Sequence, residues 1–428
     1  MKKPDRSKFP ESKTITEAPL PTANKTRLTN NIPVFEIEKG NEDVIKIDFL
    51  FRAGNWFQPK PLVATATNEM LNEGTINYTS EEIAEVMDYY GAFFKTGTNK
   101  DTARISMLCL NKNLEKLLPV LSEIVKSPIF PEKEYKIYIE NKKQQFKLDR
   151  SKVSNLSRIH FNEALFGKEH PYGKVLNYED HEYLNPEDLR NFHGNYYTPQ
   201  NCNIIVSGKI KNGTHNLLEK FFGNGWQSNQ VKKIPEFTPE PTDKKEIFTP
   251  KKEAVQSAIR VGKRLFNQHH PDFAGMNVLT TILGGYFGSR LMKNLREEKG
   301  YTYGVNAIII SLVNEGYLLI VSEVGSKVCR ASIEAIYEEI KRLKTEKVPG
   351  KELQMVKNYM MGDMLKSFDG LLPLSSTYIN LVEHKLDERY FQNMIETINN
   401  IKQDDLLEIA NKYLNEDELI HSIAGTCE

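Results

Sequence analysis

The chain has 428 residues, of which 39% are hydrophobic and 27% charged, and its 57 Lys+Arg balance 57 Asp+Glu. A formal net charge of zero excludes a global field that would draw it to nucleic acid or an anionic membrane, and no apolar run nears the ~18 residues of a membrane span. At roughly 100–200 residues per domain, the length predicts two or three domains of an ordinary soluble protein.

Residues 1–25 are rich in Pro, Lys, Ser and Thr and read as a loose N-terminal arm. Lys2 and Lys3 could open a leader, but no apolar stretch follows them. The expectation is a soluble, cytoplasmic protein, or a periplasmic one if a leader has been removed. In the first half, 26–227, Ile45–Gly54 reads as a strand, Leu62–Leu71 and Ser80–Tyr90 as helices, and the alternating Ala103–Leu110 as a strand. Leu114, Leu117, Leu118, Leu121 and Val125 have helical spacing. A turn at Phe130-Pro131 then precedes a further helix from Glu132. Residues 228–250 carry Pro235, Pro239, Pro241 and Pro250 among charges and read as a linker.

The second half, 251–428, repeats the order. Gln256–Leu265 is a strand, Phe273–Leu283 an apolar helix, Tyr317–Val324 a strand and Ala331–Leu343 a helix. Val348-Pro349 and a helix from Lys351 follow. The pattern predicts one α+β unit used twice: two homologous domains, each a mostly antiparallel sheet with helices packed on one face.

Scattered functional residue types carry little. Cys109, Cys202, Cys329 and Cys427 form no CxxC pair and neither require nor exclude an oxidising compartment. Lys251, Lys252 and Lys263 read as a solvated face. His160 and Glu163 have half the spacing of an H-x-x-E-H motif, but Ala164 stands where the second histidine would be. His170 reads as structural.

Two segments carry more. Gly284, Gly285 and Gly288 allow a tight backbone course. They precede a predicted helix over Arg290–Lys299, with Gly300 at its C′ position and a strand after it. Arg296 in the last turn and Tyr303 on the returning strand can point to one side of that corner, offering a permanent charge with a donor fork and a phenolic donor. Phosphate binding at Leu283–Ser289 is disfavoured because no P-loop Lys-Ser/Thr follows. The other segment is TATNEMLNEGT, residues 65–75.

This second segment resembles the zinc helix of the inverzincins, the family of pitrilysin, insulinase and mitochondrial processing peptidase. Active members carry H-x-x-E-H, whose two histidines bind zinc and whose Glu is the general base. Aligned on Met70, Leu71, Gly74 and Thr75, the histidine positions hold Thr65 and Glu69, and the base position holds Asn68. The family's third ligand, a Glu, falls at Gln144. Its substrate-pairing edge strand falls on 91–102, with Lys95-Thr96 where active members have Asn-Ala. By contrast, residues 283–307 closely resemble the family's C-terminal signature, and supporting stretches at 187–210 and 253–262 extend the likeness from about Leu28 to the C-terminus.

The resemblance implies half of a clamshell. No metal or other cofactor is expected in this chain. Arg296 and Tyr303 would hold the scissile carbonyl and stabilise the oxyanion, with Gly284 and Gly285 shaping the wall that meets substrate. A homologous partner subunit would supply zinc, the general base and the strand that pairs with an unfolded peptide. The competing expectation is a non-catalytic scaffold or peptide-binding subunit.

Overall fold

The computed structural model describes residues 20–227 and 234–427. Its first half contains strands β1 (Asn24–Arg27), β2 (Pro33–Glu38), β3 (Val44–Phe51), β4 (Phe93–Thr98), β5 (Ala103–Leu110) and β6 (Cys202–Gly208). The helices of this half are α1 (Val63–Glu69), α2 (Ser80–Tyr89), α3 (Leu114–Lys126), α4 (Glu132–Ser151), α5 (Val153–Phe166), α6 (Pro186–Tyr196) and α7 (Thr214–Leu218). The second half contains β7 (Glu246–Pro250), β8 (Gln256–Leu265), β9 (Thr302–Ser311), β10 (Gly316–Gly325) and β11 (Ile420–Gly425). Its helices are α8 (Phe273–Thr280), α9 (Cys329–Thr345), α10 (Gly350–Phe368), α11 (Leu371–Glu383), α12 (Arg389–Asn400) and α13 (Gln403–Tyr413).

The strands form two sheets, ordered β1-β2-β6-β3-β5-β4 and β7-β11-β8-β10-β9. Apart from β1, the two match strand for strand. In each, the first pair is parallel (β2 with β6, β7 with β11) and the others are antiparallel. The α+β architecture of two mostly antiparallel sheets is therefore as the periodicity predicts. One difference is β7, which occupies the end of the stretch read as a linker. Its prolines do not prevent this, because β7 is an edge strand and needs donors on one side only. Residues 228–233 of that stretch, and 1–19 of the arm, lie outside the described residues.

Local chemistry explains several boundaries. Thr79 caps α2: its Oγ accepts from the Glu82 N–H at 3.2 Å, and Glu82 accepts from the Thr79 N–H at 2.8 Å. Asn185 and Asp188 form the same reciprocal pair at the start of α6, where Pro186 sits at N1. The apolar face of α3 that the spacing predicts is the face that is buried.

Helices cover both faces of each sheet, and the second face is covered by an exchange. The inward side chains of β3, Ile45, Ile47, Phe49 and Phe51, pack under the first half's own helices. The opposite side of the same sheet, at Ile37, Leu50 and Ile205, packs against Leu374, Tyr378 and Ile379 of α11, which belongs to the second half. Conversely, α5 from the first half lies on β8 and β11. There Ser157 donates to the Ser422 carbonyl at 3.0 Å, and Ser422 donates back to the Ser157 carbonyl at 3.1 Å, both buried. A Cβ on Gly262 of β8 would meet first the Leu318 carbonyl oxygen of β10, at 1.9 Å, and then the Phe161 ring of α5 at 3.1 Å.

The α11 contact includes a buried charge. Asp48 is wholly buried on β3 and accepts from Ser375 of α11 at 2.7 Å, from Ser106, and from Lys46. Lys46 also donates to Ser375 at 2.8 Å. A buried carboxylate needs such partners, since an unpaired one would be strongly destabilising. A disulfide between Cys329 and Cys427 ties the chain's end to the start of α9, while Cys109 and Cys202 are buried free thiols.

The exchange makes the halves interdependent. Phe161→Ala should destabilise the protein by about 3–5 kcal/mol. Tryptophan emission, which reports the first half through Trp56 and Trp226, and far-ultraviolet dichroism should lose signal at one urea midpoint. Separate midpoints would show that the halves unfold independently.

Candidate functional site

On α1, two of the three candidate positions, Asn68 and Glu69, are engaged by the protein's own side chains, although the buried Asn68 Oδ1 has no partner among the described residues. Asn68 is wholly buried, and its amide donates to the Tyr197 hydroxyl at 3.0 Å. Tyr197 in turn stacks on His193, with ring centroids 5.0 Å apart. His193 Nε2 lies 2.9 Å from the Val125 carbonyl, which fixes that nitrogen as the donor. Glu69 accepts from the Tyr138 hydroxyl at 2.7 Å and pairs with Lys142 at 2.6 Å. Burial and the adjacent Glu69 raise the Tyr138 pKa, so the phenol stays a donor. Thr65 is half-buried at the wall of a neighbouring pocket.

Zinc needs three or four imidazole, thiolate or carboxylate ligands. The donors here are a hydroxyl, an amide and one carboxylate already neutralised by a lysine, and they do not fit. Among the described residues, no group of three or more His, Cys, Asp or Glu is placed to hold a metal ion.

Gln144 is not the residue that faces α1. It is exposed. Helical periodicity puts Tyr138 and Lys142 on the side of α4 that meets Glu69, and 144 falls away from that side. Lys142 meets Glu69, and Gln145 lines the same pocket as Thr65. Lys95 and Thr96 lie on β4, at the edge of its sheet, with Lys95 exposed. His160 and Glu163 form a pair at 3.5 Å on α5, and His170 is buried against Phe166.

The second candidate corner is built differently. A π-helical turn, Thr281–Gly285, extends α8, and a second, Met292–Glu298, replaces the α-helix expected over Arg290–Lys299. Its backbone bonds reach five residues back, as from the Lys299 N–H to the Asn294 carbonyl at 3.0 Å. The wider turn keeps Met292 and Leu295 buried and leaves Arg296 exposed. Gly300, at φ +65°, ends it, and the Tyr301 N–H closes onto the Leu295 carbonyl at 2.8 Å. Gly284 lets the first turn lie directly on β9, since a Cβ there would meet Ala307 at 2.7 Å.

Gly284, Gly285 and Tyr303 line one cavity of about 690 Å³, together with Phe287 and Asn306. Arg296 reaches its rim by lying over the Phe287 ring, 4.7 Å from the centroid. It makes no ion pair with a described residue, Glu297 and Glu298 included. Tyr303 is 87% exposed on β9, the edge strand of its sheet, and its hydroxyl bonds to no described residue. A guanidinium and a phenol are thus presented unpaired beside an open strand edge. Phe287 was not among the expected residues. Its position between Gly285 and Gly288 is a usable signal, because an aromatic in a glycine-rich turn has little chain to bury against.

Residues 183–360 match the family of the Peptidase M16 inactive domain. An uncharacterized zinc protease, YmxG, of Bacillus subtilis (strain 168) is 27% identical over 301 residues, covering 70% of this chain and 73% of its own. The non-peptidase homolog YmxG of Helicobacter pylori is 21% identical over 332 residues, 74% of each. Among solved structures, a peptidase M16 inactive domain from Pseudomonas fluorescens is similar at a TM-score of 0.84 and 21% identity, covering 95% of this chain and 98% of that one. Complex III2 from Candida albicans contains a chain similar at a TM-score of 0.76 and 14% identity, covering 94% and 95%.

Two outcomes follow from this geometry. Dialysis against excess zinc should leave the chain with far less than one equivalent by plasma mass spectrometry; stoichiometric zinc would contradict the reading of α1. Burial also holds the His193 imidazole down to about 4. Its stabilising contribution is complete above about pH 6.5, where folded and unfolded forms are both neutral. It is lost as pH falls through about 4, because only the unfolded chain takes up the proton. The thermal midpoint should therefore fall over that window, and His193→Gln should flatten the fall.

Proposed function

Because the chain belongs to the peptidase M16 family, we propose that it is the subunit of a two-chain zinc peptidase that holds no metal and contributes Arg296 and Tyr303 to the shared site. Pairing is what the resemblance implies, since some members of the family work as two separate chains. The observation that carries this reading is a contrast. Asn68 and Glu69 are engaged by neighbouring side chains, whereas Tyr303 lines an open cavity and Arg296, free of ion pairs with described residues, lies over Phe287 of the same lining. A scaffold has no use for an exposed guanidinium and an exposed phenol retained at one corner.

In this reading the partner brings zinc, the general base and the strand on which an unfolded peptide is laid. Arg296 and Tyr303 donate to the oxygen of the scissile carbonyl. As that oxygen gains charge in the tetrahedral state, both donors strengthen, which is where such groups lower a barrier by about 3–4 kcal/mol each. Phe287 holds the guanidinium over its ring while the site is empty. Gly284 and Gly285 keep the wall low enough for a peptide backbone to approach.

Among the described residues, no helix is long and apolar enough to cross a membrane. The Cys329–Cys427 bond supports an oxidising compartment over the cytoplasmic expectation, because structural disulfides persist there. The second reading is a non-catalytic scaffold or peptide-binding subunit, favoured by the similarity to a non-peptidase homolog.

Co-expression with an H-x-x-E-H-bearing homologue should yield a complex whose peptidase activity needs both chains. Arg296→Ala and Tyr303→Phe should each lower kcat by roughly 10²–10³-fold and leave assembly by size-exclusion chromatography unchanged. Undiminished turnover in both variants would decide for the scaffold.

A further inference from the structure

A pocket of about 330 Å³ adjoins α1 and is distinct from the Arg296–Tyr303 cavity. Thr65, in the first histidine position, is part of its wall. Five cations line it: Lys100, Lys142, Arg150, Arg158 and Lys174, against one carboxylate, Asp149. They come from the β4–β5 turn, α4, α5 and the loop that follows α5. In a chain of zero net charge this is a concentrated field of one sign.

The partners of these groups show how little of that charge is neutralised within the protein. Asp149 is engaged by Lys152 at 3.2 Å and by Asn155 at 3.3 Å. Lys142 is paired with Glu69. Arg150 donates to the Leu176 carbonyl at 2.7 Å and lies within electrostatic range of one carboxylate, Glu163. Asp101, next to Lys100, is held by the Tyr172 hydroxyl and by the Val313 N–H at 3.1 Å. Lys100 makes only long contacts, at 3.3 and 3.4 Å, to the carbonyls of Tyr172 and Pro171. Burial, and then the nearby Arg158 guanidinium, push its ammonium down to about 8. Arg158 and Lys174 are exposed at the pocket's mouth and form no hydrogen bond or ion pair with a described residue, although Asp149 lies within electrostatic range of Arg158. Lys100 is the partly buried member of the cluster, and a like charge held beside it is unfavourable; a bound anion would relieve it.

The rest of the lining sets the kind of anion. Leu62, Ile159 and Val175 give the pocket apolar walls. Its volume suits one or two amino-acid residues rather than a nucleotide or a polymer. A guanidinium fork matches a carboxylate in two-point geometry.

We propose that this pocket binds a carboxylate of a peptide ligand, with Arg158 and Lys174 as its unpartnered donors and Lys100 beside them. The proposal rests on the reading of the chain as a peptide-handling subunit and adds a preference to it. The carboxylate can be the C-terminus of the peptide or an Asp or Glu side chain.

The experiment is fluorescence anisotropy on the full chain without a partner. The probes are a labelled, N-blocked octapeptide of Ala, Gly and Leu in three forms: free C-terminal acid, C-terminal amide, and C-terminal amide with one internal Glu. One of the two acidic forms should bind at least about tenfold more tightly than the neutral amide, and which one does so identifies the source of the carboxylate. The double variant Arg158→Gln/Lys174→Gln should erase the difference, whereas Arg158→Lys alone should keep most of it. Equal binding of all three forms, no binding of any, or a difference that survives the double variant overturns the proposal. Displacement by inorganic phosphate as effectively as by the acidic peptide also overturns it, in favour of a small-anion site. The two readings fail separately. Arg296→Ala should leave the acid preference intact, and loss of the preference while turnover still depends on Arg296 would remove this pocket and leave the subunit reading standing.

Discussion

The structure depends on an exchange of helices between its halves. Each sheet buries one face under its own helices and the other under a helix supplied by the opposite half: α11 on the first sheet, α5 on the second. A sheet with one uncovered face would expose strands such as β3, whose residues are buried on both sides. The exchange removes that exposure, and it locks the halves through polar contacts as well as area. Ser157 and Ser422 bond to each other's carbonyls, and Asp48 needs Ser375 from across the chain. Sliding one half over the other would leave these buried groups without partners, at about 1–3 kcal/mol or more for each.

A rigid joint of this kind places two unlike surfaces in one frame. At α1, Asn68, Glu69 and Thr65 present an amide, a carboxylate and a hydroxyl, and neighbouring side chains engage the first two. Tyr197 takes the amide, Tyr138 and Lys142 take the carboxylate, and the lysine brings a fixed positive charge to a helix that has no ligand set for a metal. At the Arg296–Tyr303 corner nothing has closed in. The glycine at 284 brings the turn onto β9, the π-helical turn leaves Arg296 exposed, and an edge strand carries Tyr303. The difference is one of engagement: the Asn68 amide nitrogen and Glu69 have side-chain partners, although the buried Asn68 Oδ1 has none among the described residues, whereas Arg296 rests only on the Phe287 ring and the Tyr303 hydroxyl bonds to no described residue.

How much of this is legible in one dimension depends on the range of the physics. The strands, most helices and the glycine-rich corner are visible because each is set by residues within a turn or two: alternation in Ala103–Leu110, the spacing of Leu114 to Val125, Gly300 after a helix. The third-ligand position illustrates the limit. Gln144 and Lys142 lie on the same helix, and only the packing of α4 on α1 says which one turns inward. The Cys329–Cys427 pair is similar: two cysteines 98 residues apart carry no spacing signal. The five cations around the second pocket are unremarkable in sequence because they are scattered over four segments.

The sequence by itself determined the composition class, the repeated α+β pattern and which residue types stand at Thr65, Asn68, Glu69, Arg296 and Tyr303. All of these are properties of residue type and local period. Tertiary structure alone decided that α5 and α11 change places, that Lys142 meets Glu69, that Arg296 rests on Phe287 and that a cationic pocket lies beside Thr65. These are contacts between residues distant in the chain. Their energies depend on which faces are brought together, and no local pattern carries that information.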